Sequence, residues 1–292
     1  MDIFAYLKER LPFVDCERNF SFAKHTTIGC GGTAAAALSP GSCEDVAQVL
    51  SLLERERIPY CLLGSGANVL PAEGYFEGAV VRFVRLKTLF LDNEIFAGAG
   101  VTGGELLAFA HANCVGGFEP FTGIPTSVGG GVAMNAGVRE RHFGDLVSSV
   151  LAVERGKIYT IPAKSCLFSE KNSLFLQKIA VTGVYFKATT SSAEKIETET
   201  QRYRLRRAHL PKGRSMGCTF VNPDGISAGK LVEECGLKGR TKGKVRVSDV
   251  HANFIINEGG SADDVSALIS EVKSEVARQT GISLREEIKR IP

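Results

Sequence analysis

The chain has 292 residues, 44% of them hydrophobic and 23% charged, with a formal net charge of +3; that is enough for a real core in about two or three domains of roughly 100–150 residues. The charge is too mild to mark a nucleic-acid binder, and no apolar run nears the roughly 20 residues of a membrane span. The eight cysteines form no CxxC pair, so they read as reduced thiols buried as small hydrophobes, not as zinc ligands or a disulfide framework. The start, MDIFAYLKERLPF, is too charged for a signal peptide, and a cytoplasmic protein is expected.

In chain order, residues 42–56 predict an amphipathic helix capped by Ser42. A short apolar strand follows over Tyr60–Leu63, then a glycine loop, then Val69-Leu70. Residues 78–98 predict successive short strands (GAVVRF, TLFLD, EIFAG), and Leu106–Cys114 a helix. The stretch 115–137 is too glycine-rich for a regular element. Strands are expected near 147–154 and 179–187, and the polar, helix-prone segment 191–208 reads as a connector. Beyond it come a helix over 227–235, strands near 244–247 and 253–257, and a long helix over 262–279 opened by Ser261 with Asp264 in a capping-box arrangement. A last strand is expected over Ser283–Ile291. Local hairpins mixed with helices imply an α+β fold.

Two loops could cradle a phosphate, because glycine lets backbone amides approach an anion unobstructed. The first is Gly64-Ser65-Gly66-Ala67-Asn68, running into Val69. The second spans Gly123, Ile124, Pro125, Thr126 and Ser127 to Gly129, Gly130 and Gly131, then Asn135 and Ala136. In it Ser127 could cap a short helix and offer the helix N-terminus to a pyrophosphate. Ordinary tight turns are the plainer account of either loop. A formal GxGxxG, Gly98 to Gly103, stands between strand and helix. It lacks an acidic residue at the end of a second strand, since Glu119 falls in a Gly/Phe/Pro loop, so a turn explains it better than a Rossmann fingerprint.

The order of motifs resembles the UDP-N-acetylenolpyruvoylglucosamine reductase (MurB) family. HTTIGCGGTA (25–34) is similar to its Thr-Thr-x-x-x-Gly-Gly-x-Ala segment, and LGSGANVL (63–70) to its GGGSN flavin loop. GFEPFTGIPTSVGGGVAMNAG (117–137) is similar to GxExxxGIPGxVGGAxxMNAG, and GCTFVNP (217–223) to GSxFxNP. SAGKLVEECGLKG (227–239), SDVHANFIIN (248–257) and LREEI (284–288) complete a set that covers nearly the whole chain. The compact stretch between Lys187 and Cys218 resembles the shorter family type, which lacks an extra tyrosine-bearing loop.

The resemblance implies an FAD-binding module of the VAO/PCMH kind over residues 1–190, in two subdomains of about 1–75 and 76–190. The C-terminal strand 283–292 would join it, and a substrate-binding domain would span 200–280. It implies FAD as cofactor, NADPH as co-substrate, and reduction of UDP-N-acetylglucosamine enolpyruvate to UDP-N-acetylmuramate in peptidoglycan precursor synthesis. A monomer acting on a UDP-sugar, with neither nucleic acid nor membrane as partner, is expected. The cofactor would be held by Gly64, Ser65, Gly66, Ala67, Asn68 and Val69, and by Gly123, Ile124, Pro125, Ser127, Gly129, Gly130, Asn135 and Ala136.

Hydride delivery to one alkene carbon needs an acid for the other carbon and a group to hold charge on the adjacent carboxylate. The family uses Ser, Arg and Glu. Here Cys218 stands at the Ser position, and a thiol with a reference pKa of about 8.5 is still protonated at neutral pH; read plainly, it is a small core residue. The family's CxFxYRxS appears as Cys166 to Ser173 with Glu170-Lys171 for Tyr-Arg, so Lys171 keeps the charge without the bidentate fork. Otherwise it is one half of a solvated pair. The family's Glu maps to Glu287, whose neighbour Glu286 would face the other way in a strand. Substrate-binding candidates are the basic residues Arg206, Arg207, Lys212 and Arg214, with Asn222, Lys238, His251 and Asn253. Gly29 stands where the family often has Arg, Thr126 replaces Gly and Gly131 replaces Ala. Together with Lys171 and Cys218, these departures leave open a divergent flavoprotein with another substrate or no turnover.

Overall fold

The computed structural model describes residues 2–223 and 225–292. Its chain divides into two compact units, one of Met1–Asn19, Ala35–Ser65 and Glu77–Ala208, the other of Phe20–Ala34, Gly66–Phe76 and His209–Pro292. The mixture of helices, antiparallel ladders and parallel strand pairs is α+β.

Local signals set most elements. Ser42 accepts from the Asp45 amide and Asp45 answers the Ser42 amide, a reciprocal cap that starts the helix Cys43–Arg55. Ser261 and Asp264 do the same for Ala262–Thr280, which Gly281 ends in the left-handed conformation at φ 72. Along this helix Val265, Leu268, Ile269, Val272 and Val276 are all buried. Their spacing of three and four is the apolar stripe a packed helix needs.

The first unit is built on a five-stranded antiparallel sheet in the order Lys157–Pro162, Val147–Glu154, Ala180–Lys187, Glu94–Gly98, Leu89–Leu91. Val150, Ala152, Val184, Phe186, Ile95 and Ala97 on it are fully buried, each pair aligned by register such as Val150 opposite Val184 and Ala97 opposite Val184. Phe143 and Phe121 close this core with ring centroids 4.4 Å apart. Tyr60–Leu63 pairs in parallel with Tyr75–Arg82. The second unit holds a three-stranded sheet, Thr241–Lys242, Val245–Val247 and Ile255–Asn257, and a parallel pair of Lys289–Ile291 with Val69–Pro71.

Several expectations are corrected. The strand Lys157–Pro162 was not expected; its side chains are nearly all exposed, so it carries no alternating apolar signal. Segment 191–208 is no connector but the helix Ala193–Ala208, part of the first unit. The glycine-rich stretch contains an unexpected 3-10 turn, Glu119–Phe121, while the short helix expected behind Ser127 is present as Val128–Ala133. The last strand is only Lys289–Ile291; before it, Glu286 makes a single bridge to Phe220. Cys114 is exposed, not buried.

The GxGxxG run is a turn. Its strand is antiparallel to Ala180–Lys187, unlike a Rossmann unit, and Thr102 starts the next helix with a capping box to Glu105. Gly98 and Gly100 donate to Thr88 and Leu86 carbonyls. A Cβ on Gly100 would lie 2.0 Å from the Phe83 carbonyl oxygen. We expect Gly100→Ala to destabilise the protein by about 3 kcal/mol or more, read as a melting temperature several degrees lower. An unchanged melting curve would show that this turn yields freely.

Candidate active site

The first loop leaves the buried end of strand Tyr60–Leu63 and runs from Gly64 to Asn68. A Cβ on Gly64 would lie 2.8 Å from Ser127 Oγ and 3.5 Å from Gly130 Cα, so the two glycine loops lie side by side and the Ser127 hydroxyl uses the space left by the missing side chain of residue 64. Ser127 in turn caps the helix Val128–Ala133, its hydroxyl accepting from the Gly130 amide at 3.3 Å.

Not every amide in these loops is open to a ligand. Val128 and Gly129 donate to the carbonyls of Val101 and Ala99, and Ile124 to Phe121. By contrast, among the described residues nothing accepts from the amides of Ser65, Gly66 and Ala67, nor from those of Gly123 and Thr126. Open backbone donors beside glycine Cα atoms, where side chains would otherwise stand, are in each loop the kind of group that fits a phosphate.

Gly66 has φ +70, and a Cβ there would lie 2.4 Å from the His25 carbonyl oxygen; the Gly66 carbonyl accepts from the Thr27 amide at 3.0 Å. The segment His25–Thr27 thus braces the loop from below. At its far end Asn68 donates from Nδ2 to the Glu287 carbonyl at 3.3 Å and accepts from the Lys289 amide at 2.9 Å.

The backbone of Glu287 is also held on its other side, its amide donating to the Thr219 carbonyl at 2.8 Å. Thr219 follows Cys218, whose own backbone bridges Phe254. Asn253 fixes this stretch with a fork: Oδ1 accepts from the Phe220 amide and Nδ2 donates to the Phe220 carbonyl, both at 2.8 Å. The structure therefore brings Cys218 and Glu287 onto adjoining backbones. Glu286 is engaged elsewhere, with Lys273 at 3.2 Å and Arg290 at 2.9 Å. Burial raises its pKa, but the bonds from Arg290 and Lys273 outweigh that and hold its carboxyl below the ordinary range.

Lys171 sits at the tip of a tight turn, with Ser169 and Asn172 exchanging backbone hydrogen bonds at 3.1 and 3.2 Å. Its φ of 54 is unusual for a side-chain-bearing residue. Asn135, itself at φ 43 and buried, accepts from the Gly144 amide and donates to the Ser169 carbonyl, both at 2.9 Å. Its side chain anchors the turn carrying Lys171.

The basic and polar candidates separate. Arg206 and Arg207 end a helix of the first unit, whereas Lys212 and Arg214 belong to the second. Arg206 pairs with Glu140 at 2.8 Å. Arg207 lies over the second glycine loop, since a Cβ on Gly123 would come 3.3 Å from its Nε. Asn222 accepts from the Ala228 amide at 2.9 Å, supporting the start of helix Ala228–Glu234. Lys238 pairs with Glu233 at 2.7 Å. His251 accepts on Nδ1 from the Asn253 amide at 3.3 Å, and burial lowers its pKa. Sequence reasoning missed the anchoring by Asn135 and the placement of Arg207, both of which join residues distant along the chain.

Comparisons with known proteins agree with this geometry. A family model described as UDP-N-acetylenolpyruvoylglucosamine reductase, C-terminal domain, matches residues 209–291, and one described as FAD binding domain matches residues 34–157. The chain is 32% identical to the UDP-N-acetylenolpyruvoylglucosamine reductase of Geobacter metallireducens, covering 93% of this chain and 92% of that one. It is 37% identical to that of Syntrophobacter fumaroxidans, covering 91% and 81%. Its structure is similar to that of UDP-N-acetylenolpyruvylglucosamine reductase (MurB) from Thermus caldophilus, with a TM-score of 0.83 at 30% identity over 96% of this chain and 99% of the other. With likenesses that run the whole length and a site assembled from the same motifs, the chain belongs to the UDP-N-acetylenolpyruvoylglucosamine reductase family.

Proposed function

We propose that this protein reduces UDP-N-acetylglucosamine enolpyruvate to UDP-N-acetylmuramate with NADPH, in peptidoglycan precursor synthesis. The observation that carries the reading is the double hold on Glu287, by Asn68 of the first glycine loop and by the residue next to Cys218. This supports the reading, because the backbones that carry Glu287 and Cys218 adjoin each other and the Glu287 backbone is bonded to the first loop.

Bound FAD would supply the hydride carrier between NADPH and the enolpyruvyl double bond. Ser65, Gly66, Ala67 and Gly123 would hold its phosphates through backbone amides. Cys218 Sγ would give a proton to the carbon that does not receive hydride, and Glu287 would act on the substrate carboxylate together with Lys171, whose ammonium offsets the charge that develops there. The FAD-binding portion is assigned to the part matched at 34–157 and substrate binding to the part matched at 209–291. We further propose that it works in the cytoplasm as a monomer, with neither nucleic acid nor membrane as partner. No helix among the described residues is long and apolar enough to cross a membrane, and the net charge is small.

The test is to reduce the protein anaerobically with NADPH and then add the enolpyruvyl sugar nucleotide, following flavin colour. Return of the yellow colour is expected; a flavin that stays reduced refutes the assignment. Cys218→Ala should leave reduction by NADPH intact and slow reoxidation by about 10²–10⁴-fold, while Cys218→Ser should recover much of the rate. Equal rates in Cys218→Ala and wild type would remove the thiol from the mechanism. Gly64→Ala, which drives a methyl against Ser127 Oγ, should weaken flavin retention at least tenfold, measured as flavin released on dilution. Full retention would mean the loop contact does not matter for the cofactor.

A further inference from the structure

We infer that Arg214 is a pyrophosphate-binding cation whose side chain is held in place by the missing side chain of Gly29. The inference rests on the reading above that this protein binds FAD and a UDP-sugar, both of which contain a diphosphate.

Gly29 has φ +68, and a Cβ built on it would lie 2.7 Å from Arg214 Cδ, 3.1 Å from Nε and 3.3 Å from Nη1. The root of the guanidinium therefore lies on the Gly29 backbone, in space that any other residue would fill. The Arg214 main chain is fixed as well. Its carbonyl accepts from the Asn257 amide at 2.9 Å, and the adjoining Ser215 carbonyl accepts from Thr27 Oγ1 at 2.6 Å. Asn257 also donates from Nδ2 to the Ile28 carbonyl at 2.9 Å, so the segments around Ile28 and Arg214 are locked together.

Some basic residues of the same unit have a carboxylate partner, Lys238 with Glu233 and Arg290 with Glu286 among them. Among the described residues no carboxylate pairs with Arg214. Ordering a long exposed side chain costs rotamer freedom, and here packing on Gly29 does that ordering before any ligand arrives. A planar guanidinium fixed in advance loses little on forming a bidentate bond to phosphate.

A second observation names the ligand's chemistry. Thr27, two residues before Gly29, bonds the Gly66 carbonyl through its amide at 3.0 Å and reaches it with its hydroxyl at 3.4 Å. One turn, Thr26–Gly29, thus carries Arg214 and braces the loop whose Ser65, Gly66 and Ala67 amides are open. Backbone amides and a guanidinium on one support are the donor set for a diphosphate.

The test compares wild type with Arg214→Ala, Arg214→Lys, Gly29→Ala and the double change Arg214→Ala with Gly29→Arg. Flavin released from the holoprotein on dilution measures the hold on FAD, and calorimetric titration of the holoprotein with UDP measures the sugar-nucleotide side. Arg214→Ala should weaken one of the two about tenfold, the affected ligand identifying whose diphosphate is held. Gly29→Ala should weaken the same ligand, by displacing an intact arginine. Arg214→Lys should fall between, and the double change should recover part of the loss by offering a guanidinium from the other side of the same contact. If Arg214→Ala binds FAD and UDP as wild type does, the inference is wrong although the proposed function stands; if wild type binds neither, both fall.

Discussion

The contact between Gly64 and the Ser127–Gly130 turn is the constraint on which the site depends. Two glycine loops far apart in the chain meet where a methyl group on residue 64 would press on the Ser127 hydroxyl. Glycine here is not a flexible joint but the means by which that hydroxyl comes close to the backbone of the first loop. Ser127 serves both sides, capping its own helix while closing against Gly64.

From that contact the rest is held by side-chain amides that act as stretches of backbone. Asn68 ties the first loop to Glu287, Asn253 pairs with both polar groups of Phe220 beside Cys218, Asn257 reaches Ile28, and Asn135 grips Ser169 in the turn that carries Lys171. Asn135, Asn253 and Asn257 are buried. A buried amide left unsatisfied costs on the order of 1–3 kcal/mol, so each pairing specifies one loop position against alternatives as well as stabilising it. Asn135, expected to touch the cofactor, also bonds the Gly144 amide and the Ser169 carbonyl through its side chain.

The departures from the family's motifs have different physical standing. Thr126 keeps the second loop intact, because its amide is open and its side chain bonds the Ser127 carbonyl. Gly131 in place of Ala packs a bare Cα against Phe143, where a Cβ would lie 3.0 Å from the ring. Lys171 keeps a charge but adopts a left-handed backbone, a strain of order 1 kcal/mol that its anchored turn sustains. Within the basic run 202–214 the chain passes from one compact unit to the other, Arg206 and Arg207 ending the helix Ala193–Ala208 and Lys212 and Arg214 belonging to the second unit.

By itself the sequence determined the local elements and the family. The capped helices, the strand Tyr60–Leu63, the helix Ala228–Glu234 and the turn at Gly98–Gly103 follow from periodicity, caps and glycine placement within a few residues of one another. The order of motifs alone marks the reductase family. What only the tertiary structure decided is which residues meet. That Gly64 abuts Ser127, that the Glu287 amide bonds to the Thr219 carbonyl and that Arg214 rests on Gly29 depend on segments tens to hundreds of residues apart. Local propensity ends at the range of a turn, whereas burial, amide pairing and close backbone approach are set by the folded chain as a whole.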